Sequence, residues 1–227
     1  RSGRRSAAAK LSADITARMQ TLGMAGGRFA VTLQPLEATA SAAQGASSPH
    51  GLEDVEFQVS ANAGQPPRPL GKVASGGELS RLSLAVQVAL IRGNEAAQGV
   101  CMVFDEVDSG VGGAVAEIVG RELAALGARA QVLCVTHLPQ VAALGDRHLR
   151  VAKLTDGATT RTQITSLEGP ARTEEIARML GGLAITDKAR EHAAEMLAAG
   201  RTTRGSARND ADTAPSGSAR KSRGRAR

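Results

Sequence analysis

Lys72-Val73-Ala74-Ser75-Gly76-Gly77-Glu78-Leu79-Ser80-Arg81, followed by Val100-Cys101-Met102-Val103-Phe104-Asp105-Glu106-Val107-Asp108, decides how this chain folds. The first stretch places two glycines and flanking hydroxyls where a helix begins, so unpaired backbone N–H groups and the positive end of the helix dipole face outward. Such an end attracts phosphate. The second is a short apolar run that stops at two carboxylates, as a buried parallel strand does when its C-terminal end serves Mg²⁺-linked phosphate chemistry. A nucleotide suits both. A phosphate-cradling loop of the form G-x-x-x-x-G-K-[ST] is missing, because the one Gly-Lys pair, Gly71-Lys72, is followed by Val73 and preceded by Gly64 at the wrong interval. With Arg1 rather than Met at the start, the expectation is a C-terminal portion of a longer protein, with the nucleotide site completed elsewhere.

Working outward, Ser6–Leu22 carries apolar residues at near-helical spacing up to Gly23 and reads as the last turns of a longer helix. Alternation at Phe29, Val31 and Leu33, repeated at Val55, Phe57 and Val59, predicts two antiparallel strands, with Glu37–Gly51 as a surface loop between them. A helix is expected from Gly76 or Gly77 with Ser75 as N-cap, packing Leu79, Leu82, Val86 and Leu90 and ending near Gly93. Strand Val100–Phe104, helix Gly113–Leu126 and strand Gln131–Val135 then form a βαβ unit of a parallel sheet. A short helix over Leu138–Leu144 and strands Arg147–Lys153 and Arg161–Leu167 continue the layers, and helices Glu174–Leu180 and Asp187–Ala199 close the ordered part.

Composition narrows the function. With three Phe and no Trp or Tyr, the core is aliphatic, and a base-stacking RNA or single-strand binder is disfavoured. Cys101 and Cys134 lie inside apolar strands and read as small core residues in a reducing compartment. No apolar stretch approaches the ~18 residues of a membrane span. The net charge of +6 comes from the ends: residues 201–227 hold eight basic groups against two acids, and the body between the termini is mildly acidic. The Arg-, Ser- and Gly-rich end from Arg201 is either a solubilising disordered extension or a weak electrostatic contact for DNA.

Asp105 and Glu106 close the apolar strand. The first suits a Mg²⁺ shell, usually through water, and the second can polarise an attacking water. His137 follows the next strand and reaches the same sheet edge, where an imidazole can hydrogen-bond a terminal phosphate. His50, His148 and His192 have no such setting.

Taken together, Gly64-Gln65-Pro66, the Lys72–Arg81 signature, Phe104-Asp105-Glu106-Val107-Asp108-Ser109-Gly110, Val135-Thr136-His137-Leu138-Pro139-Gln140-Val141-Ala142 and Ala177-Arg178-Met179-Leu180-Gly181-Gly182 resemble the C-terminal lobe of an ABC-type ATPase head of the SMC-like family, over about residues 10–199. The likeness is closer still to the bacterial DNA-repair branch of that family. It implies an α/β P-loop NTPase lobe, a layered sheet with flanking helices, divided as 1–22 end of a coiled-coil helix and 23–199 head; the disordered basic tail expected over 200–227 from its composition departs from the family, as does the missing P-loop lobe. ATP and Mg²⁺ would be the cofactors. The partners would be DNA, the N-terminal P-loop lobe of the same protein and a second copy joined through the heads, with no membrane.

The resemblance assigns Ser75, Gly76 and Gly77, with Glu78 of the same signature, to the γ-phosphate of ATP held by the other subunit. It assigns Asp105, Glu106 and His137 to the subunit's own ATP, and Asp108 to the loop at the dimer seam. The implied function is a cytoplasmic, nucleoid-associated ATPase in DNA double-strand break repair and recombination, with ATP closing two heads and hydrolysis releasing them; the chain by itself is expected to be inactive. An ABC transporter subunit and a degenerate head serving as an interaction module stay open as alternatives.

Overall fold

A computed structural model of the chain describes residues 2–35, 53–72, 76–91, 100–155, 159–181 and 184–212, the last ten of these by their backbone. Helix α1 (Ser2–Thr21) buries Ala8, Ile15 and Met19 along one side. It lies along strand β1 (Arg28–Pro35), which pairs antiparallel with β2 (Glu53–Ser60) in the register Phe29↔Val59, Val31↔Phe57, Leu33↔Val55. A two-residue strand β3 (Arg68–Pro69) completes this sheet.

Hydroxyls on α1 occupy the outer edge of β1. The Phe29 N–H donates to Thr16 Oγ1 at 3.0 Å, the Thr16 hydroxyl donates to the Phe29 carbonyl at 3.2 Å, and the Val31 N–H donates to Ser12 Oγ at 2.9 Å. An edge satisfied in this way offers no template for another strand. Phe29 and Val59 enter the core, whereas Phe57 and Val55, further along the same face, are exposed. The expected alternation therefore holds, but only its end near α1 packs.

The turn from α1 into β1 requires glycine. Gly26 has φ 76°, and a Cβ there would stand 2.6 Å from Ala63 Cβ. Gly26→Ala is expected to cost about 1–3 kcal/mol, the range for a non-glycine residue held in the left-handed region. Urea unfolding of the chain checks it: an unchanged midpoint would contradict the close approach of these two turns.

Helix α2 (Gly76–Ile91) begins at one of the two expected glycines; its expected N-cap, Ser75, lies outside the described residues, as does the loop expected over Glu37–Gly51. Its buried face matches the expected one in part, through Leu82 and the partly buried Val86. Leu82, Leu84, Ala85 and Val88 pack inward, while Leu79 and Leu90 are exposed. Both phases fit helical spacing, and the neighbouring elements select the one that also buries Arg81.

Strand β4 (Cys101–Phe104), helix α3 (Gly113–Gly127) and strand β5 (Gln131–Cys134) form the expected parallel βαβ unit, with Met102↔Val132 and Phe104↔Cys134 in register. Met102 and Phe104 face a core shared with α1, α2 and α3. On the other face Val103 and Val135 are 66% and 61% exposed.

After the short helix α4 (Pro139–Ala142), strands β6 (His148–Thr155) and β7 (Thr160–Leu167) pair only with each other, antiparallel. The strands expected over Arg147–Lys153 and Arg161–Leu167 are thus present as a hairpin, for which Asp156-Gly157 between them is a signal in the sequence. Helix α5 (Gly169–Gly181) starts five residues before Glu174, and α6 (Asp187–Asp212) runs past Ala199. The expected tail from residue 200 thus begins as helix; 213–227 lie outside the described residues.

A second small core of Ala142, Ala143, Ile176, Ala177, Ala193 and Leu197 joins α4, α5 and α6. Arg172 secures it by donating to the carbonyls of Gly145 (2.6 Å) and Ala142 (3.1 Å), beyond and within the last turn of α4. Buried Glu175 accepts from Arg178 at 2.6 Å and lies 3.7 Å from Arg150; the Arg178 hydrogen bond, against the cost of burial, holds its carboxyl below the usual range. None of the described helices is long and apolar enough to cross a membrane.

Candidate functional site

The C-terminal ends of β4 and β5 and the N-terminal end of α2 converge. Asp105, the first residue after β4, is exposed and accepts the Glu106 N–H at 3.0 Å. Glu106 is the one non-glycine residue with positive φ (56°) among the described residues. Such a backbone is strained by roughly 1–3 kcal/mol and clusters at functional sites. It turns the side chain toward α2, so that a Cβ on Gly76 would stand 2.8 Å from Glu106 Oε2. On Gly77 it would stand 2.9 Å from the Ser109 carbonyl oxygen. Gly77 is therefore needed where the helix end meets the loop after Glu106, whereas at Gly76 the near atom is the end of a flexible side chain that can move aside.

Two side chains that sequence reasoning did not single out hold that loop. Arg81, one turn into α2 and buried, donates to the Ser109 carbonyl at 2.6 Å. Burial pulls its guanidinium below the ordinary value, partly offset by Glu78. On the far side, Asp108 is 2% exposed and accepts the Thr136 hydroxyl at 2.5 Å and the His137 N–H at 3.2 Å. His137 Nδ1 lies 3.5 Å from the same oxygen.

Asp108, expected on the loop at a dimer seam, is within this chain an interior carboxylate that ties the loop after β4 to the end of β5. Arg81 and Thr136 left no signal in the sequence, since an Arg at helical spacing and a Thr ending a strand are ordinary. The negative field of this corner reaches Cys134, whose thiol is pushed up to about 12 by burial, then by Asp108 and Asp105. A thiol held up in this way is a poor nucleophile at neutral pH, in keeping with the reading of Cys134 as a core residue, whereas Cys101, read the same way, is exposed.

Gly76, Gly77, Asp105, Glu106, Asp108 and His137 are thus brought to one corner, with Glu78 in the first turn of α2 beside them. The helix end and the Glu106 carboxylate, assigned by the resemblance to ATP molecules of different subunits, are neighbours within this chain. Among the described residues no group of three or more His, Cys, Asp and Glu side chains could enclose a metal ion. Mg²⁺ does not need one, because it binds through one or two carboxylates plus water and substrate phosphates, and Asp105 at the open sheet edge fits that role.

A βαβ unit whose strand ends carry Asp-Glu and Thr-His, faced by a glycine-started helix, defines a class: a C-terminal lobe of an SMC-type head. The solved Smc head domain with coiled coil and joint from Pyrococcus yayanosii matches it with a TM-score of 0.52 at 20% identity, covering 74% of this chain and 28% of that one. The DNA repair protein RecN of Xylella fastidiosa (strain Temecula1) is 51% identical over 191 residues, 84% of this chain and 33% of the relative. RecN of Streptomyces coelicolor is 42% identical over 205 residues, 88% of this chain and 35% of the relative. No family model matches. The chain belongs to the RecN family of SMC-like proteins, and spans about a third of the length of these relatives. The transporter alternative has no support among them.

Proposed function

We propose that this chain supplies half of the nucleotide machinery of a RecN-type ATPase acting in repair of DNA double-strand breaks, with head closure on ATP and release on hydrolysis. The meeting of Asp105-Glu106 and His137 at the C-terminal ends of two paired parallel strands carries this reading. ATP with Mg²⁺ supplies the phosphoryl group and its activating charge. Asp105 would hold the Mg²⁺ shell, Glu106 would take a proton from the attacking water, and His137 would hydrogen-bond the terminal phosphate. The helix end, with Ser75, Gly76, Gly77 and Glu78, would meet the γ-phosphate brought by a second copy, with Asp108 beneath the same seam.

The exposed apolar face of Val103, Leu133 and Val135 on the β4–β5 sheet supports a further lobe of the polypeptide packing there. That lobe would bring the phosphate loop, which is absent from this sequence. Backbone N–H groups and the lysine of such a loop provide most phosphate contacts in this enzyme class. Purified residues 1–227 are therefore expected to bind ATP poorly and to show no turnover, while the full-length protein hydrolyses ATP. Turnover by 1–227 above background would remove the need for the further lobe; none by the full-length protein would favour a degenerate head.

A further inference from the structure

We infer that Thr136 is a positioning residue for His137, acting through Asp108; this rests on the ATPase reading of the site. An ionised carboxylate as enclosed as Asp108 persists only if its oxygens are hydrogen-bonded. Oδ2 takes the Thr136 hydroxyl at 2.5 Å and the His137 N–H at 3.2 Å. The Thr136 oxygen in turn accepts the Leu138 N–H at 3.0 Å. A hydroxyl has one proton, and the Leu138 carbonyl at 3.4 Å competes poorly for it against a charged acceptor at 2.5 Å.

The chain of bonds Leu138 N–H to Thr136 hydroxyl to Asp108 therefore has a fixed direction, and it clamps the backbone on both sides of His137. The imidazole itself is 73% exposed. Where it points is then set by its backbone and by the Asp108 oxygen 3.5 Å from Nδ1, both of which depend on the Thr136 hydroxyl. A β-branched residue would end this strand equally well without a hydroxyl, so the oxygen is the part with a specific task.

Thr136→Val keeps the shape and removes that oxygen. In the full-length protein it is expected to lower kcat for ATP hydrolysis by about tenfold or more, the scale of a hydrogen bond to a charged group, with KM for ATP little changed. Thr136→Ser is expected to recover most of the loss. Thermal unfolding of each variant identifies a temperature at which all are folded, where turnover is compared. Should Thr136→Val fail to fold, Thr136→Ala, which removes the same oxygen, is expected to show the same fall in kcat at constant KM, and wild-type turnover there overturns the inference. Wild-type turnover in Thr136→Val, or no recovery in a folded Thr136→Ser, overturns the inference wherever Glu106→Gln still abolishes hydrolysis. If Glu106→Gln leaves hydrolysis intact, the ATPase reading of this corner falls and the inference with it.

Discussion

Glu106→Gln in the full-length protein is expected to bind ATP as the wild type does while turnover falls by about 10²–10⁴, the usual contribution of a general base. The amide keeps the size and hydrogen bonding of the carboxylate but cannot take a proton from water. The structure offers a competing role for the same group. Glu106 Oε2 lies beside Gly76, so the carboxylate also complements the positive end of α2. That interaction is worth only about 0.3–1 kcal/mol at an exposed site, and its loss would lower stability slightly without touching the rate of a folded enzyme. Steady-state hydrolysis and equilibrium ATP binding, measured with an unfolding curve on the same preparation, separate the two. Unchanged turnover with ATP affinity retained assigns Glu106 to the helix end alone.

Ser75→Arg is expected to leave each full-length monomer able to bind ATP and to abolish ATP-driven association. Ser75 immediately precedes the helix whose first residues pack on the loop after Glu106. As a helix cap alone it contributes about 1 kcal/mol, and its replacement would lower stability without a specific effect on association. As a contact for a phosphate held by a second copy, its replacement by a long cationic side chain would fill the space meant for that phosphate and remove the charge-assisted contacts that link closure to ATP. Sedimentation of Glu106→Gln with and without Ser75→Arg, each with and without ATP, decides between them. Dimerisation of the double variant on ATP would remove residues 75–77 from the closing surface.

Much of the fold was legible because its signals are local. The period-2 runs around Phe29–Leu33 and Val55–Val59 specify two antiparallel neighbours, and these strands pair so. The apolar runs before Asp105 and before Thr136-His137, separated by one amphipathic helix, specify a parallel βαβ unit with its chemistry at one edge. The same runs could not say which phase of α2 faces inward. Leu79 and Leu90 fit the helical stripe as well as Leu84 and Val88, and the choice belongs to the elements packed against it.

By itself, then, the sequence determined the types of the main helices and strands up to residue 199, the sheet edge that carries Asp105, Glu106 and His137, and the absence of a phosphate loop from it, since each is written in residue type and spacing along the chain. Only the tertiary structure decided how that edge is held. Arg81 meets Ser109 across 28 positions of sequence, Thr136 meets Asp108 across another 28, and β6 and β7 form a sheet of their own. A buried arginine and a buried carboxylate each need partners once water is excluded. Which carbonyl or hydroxyl answers them is settled by how the chain folds back in space, and no local period in the sequence records it.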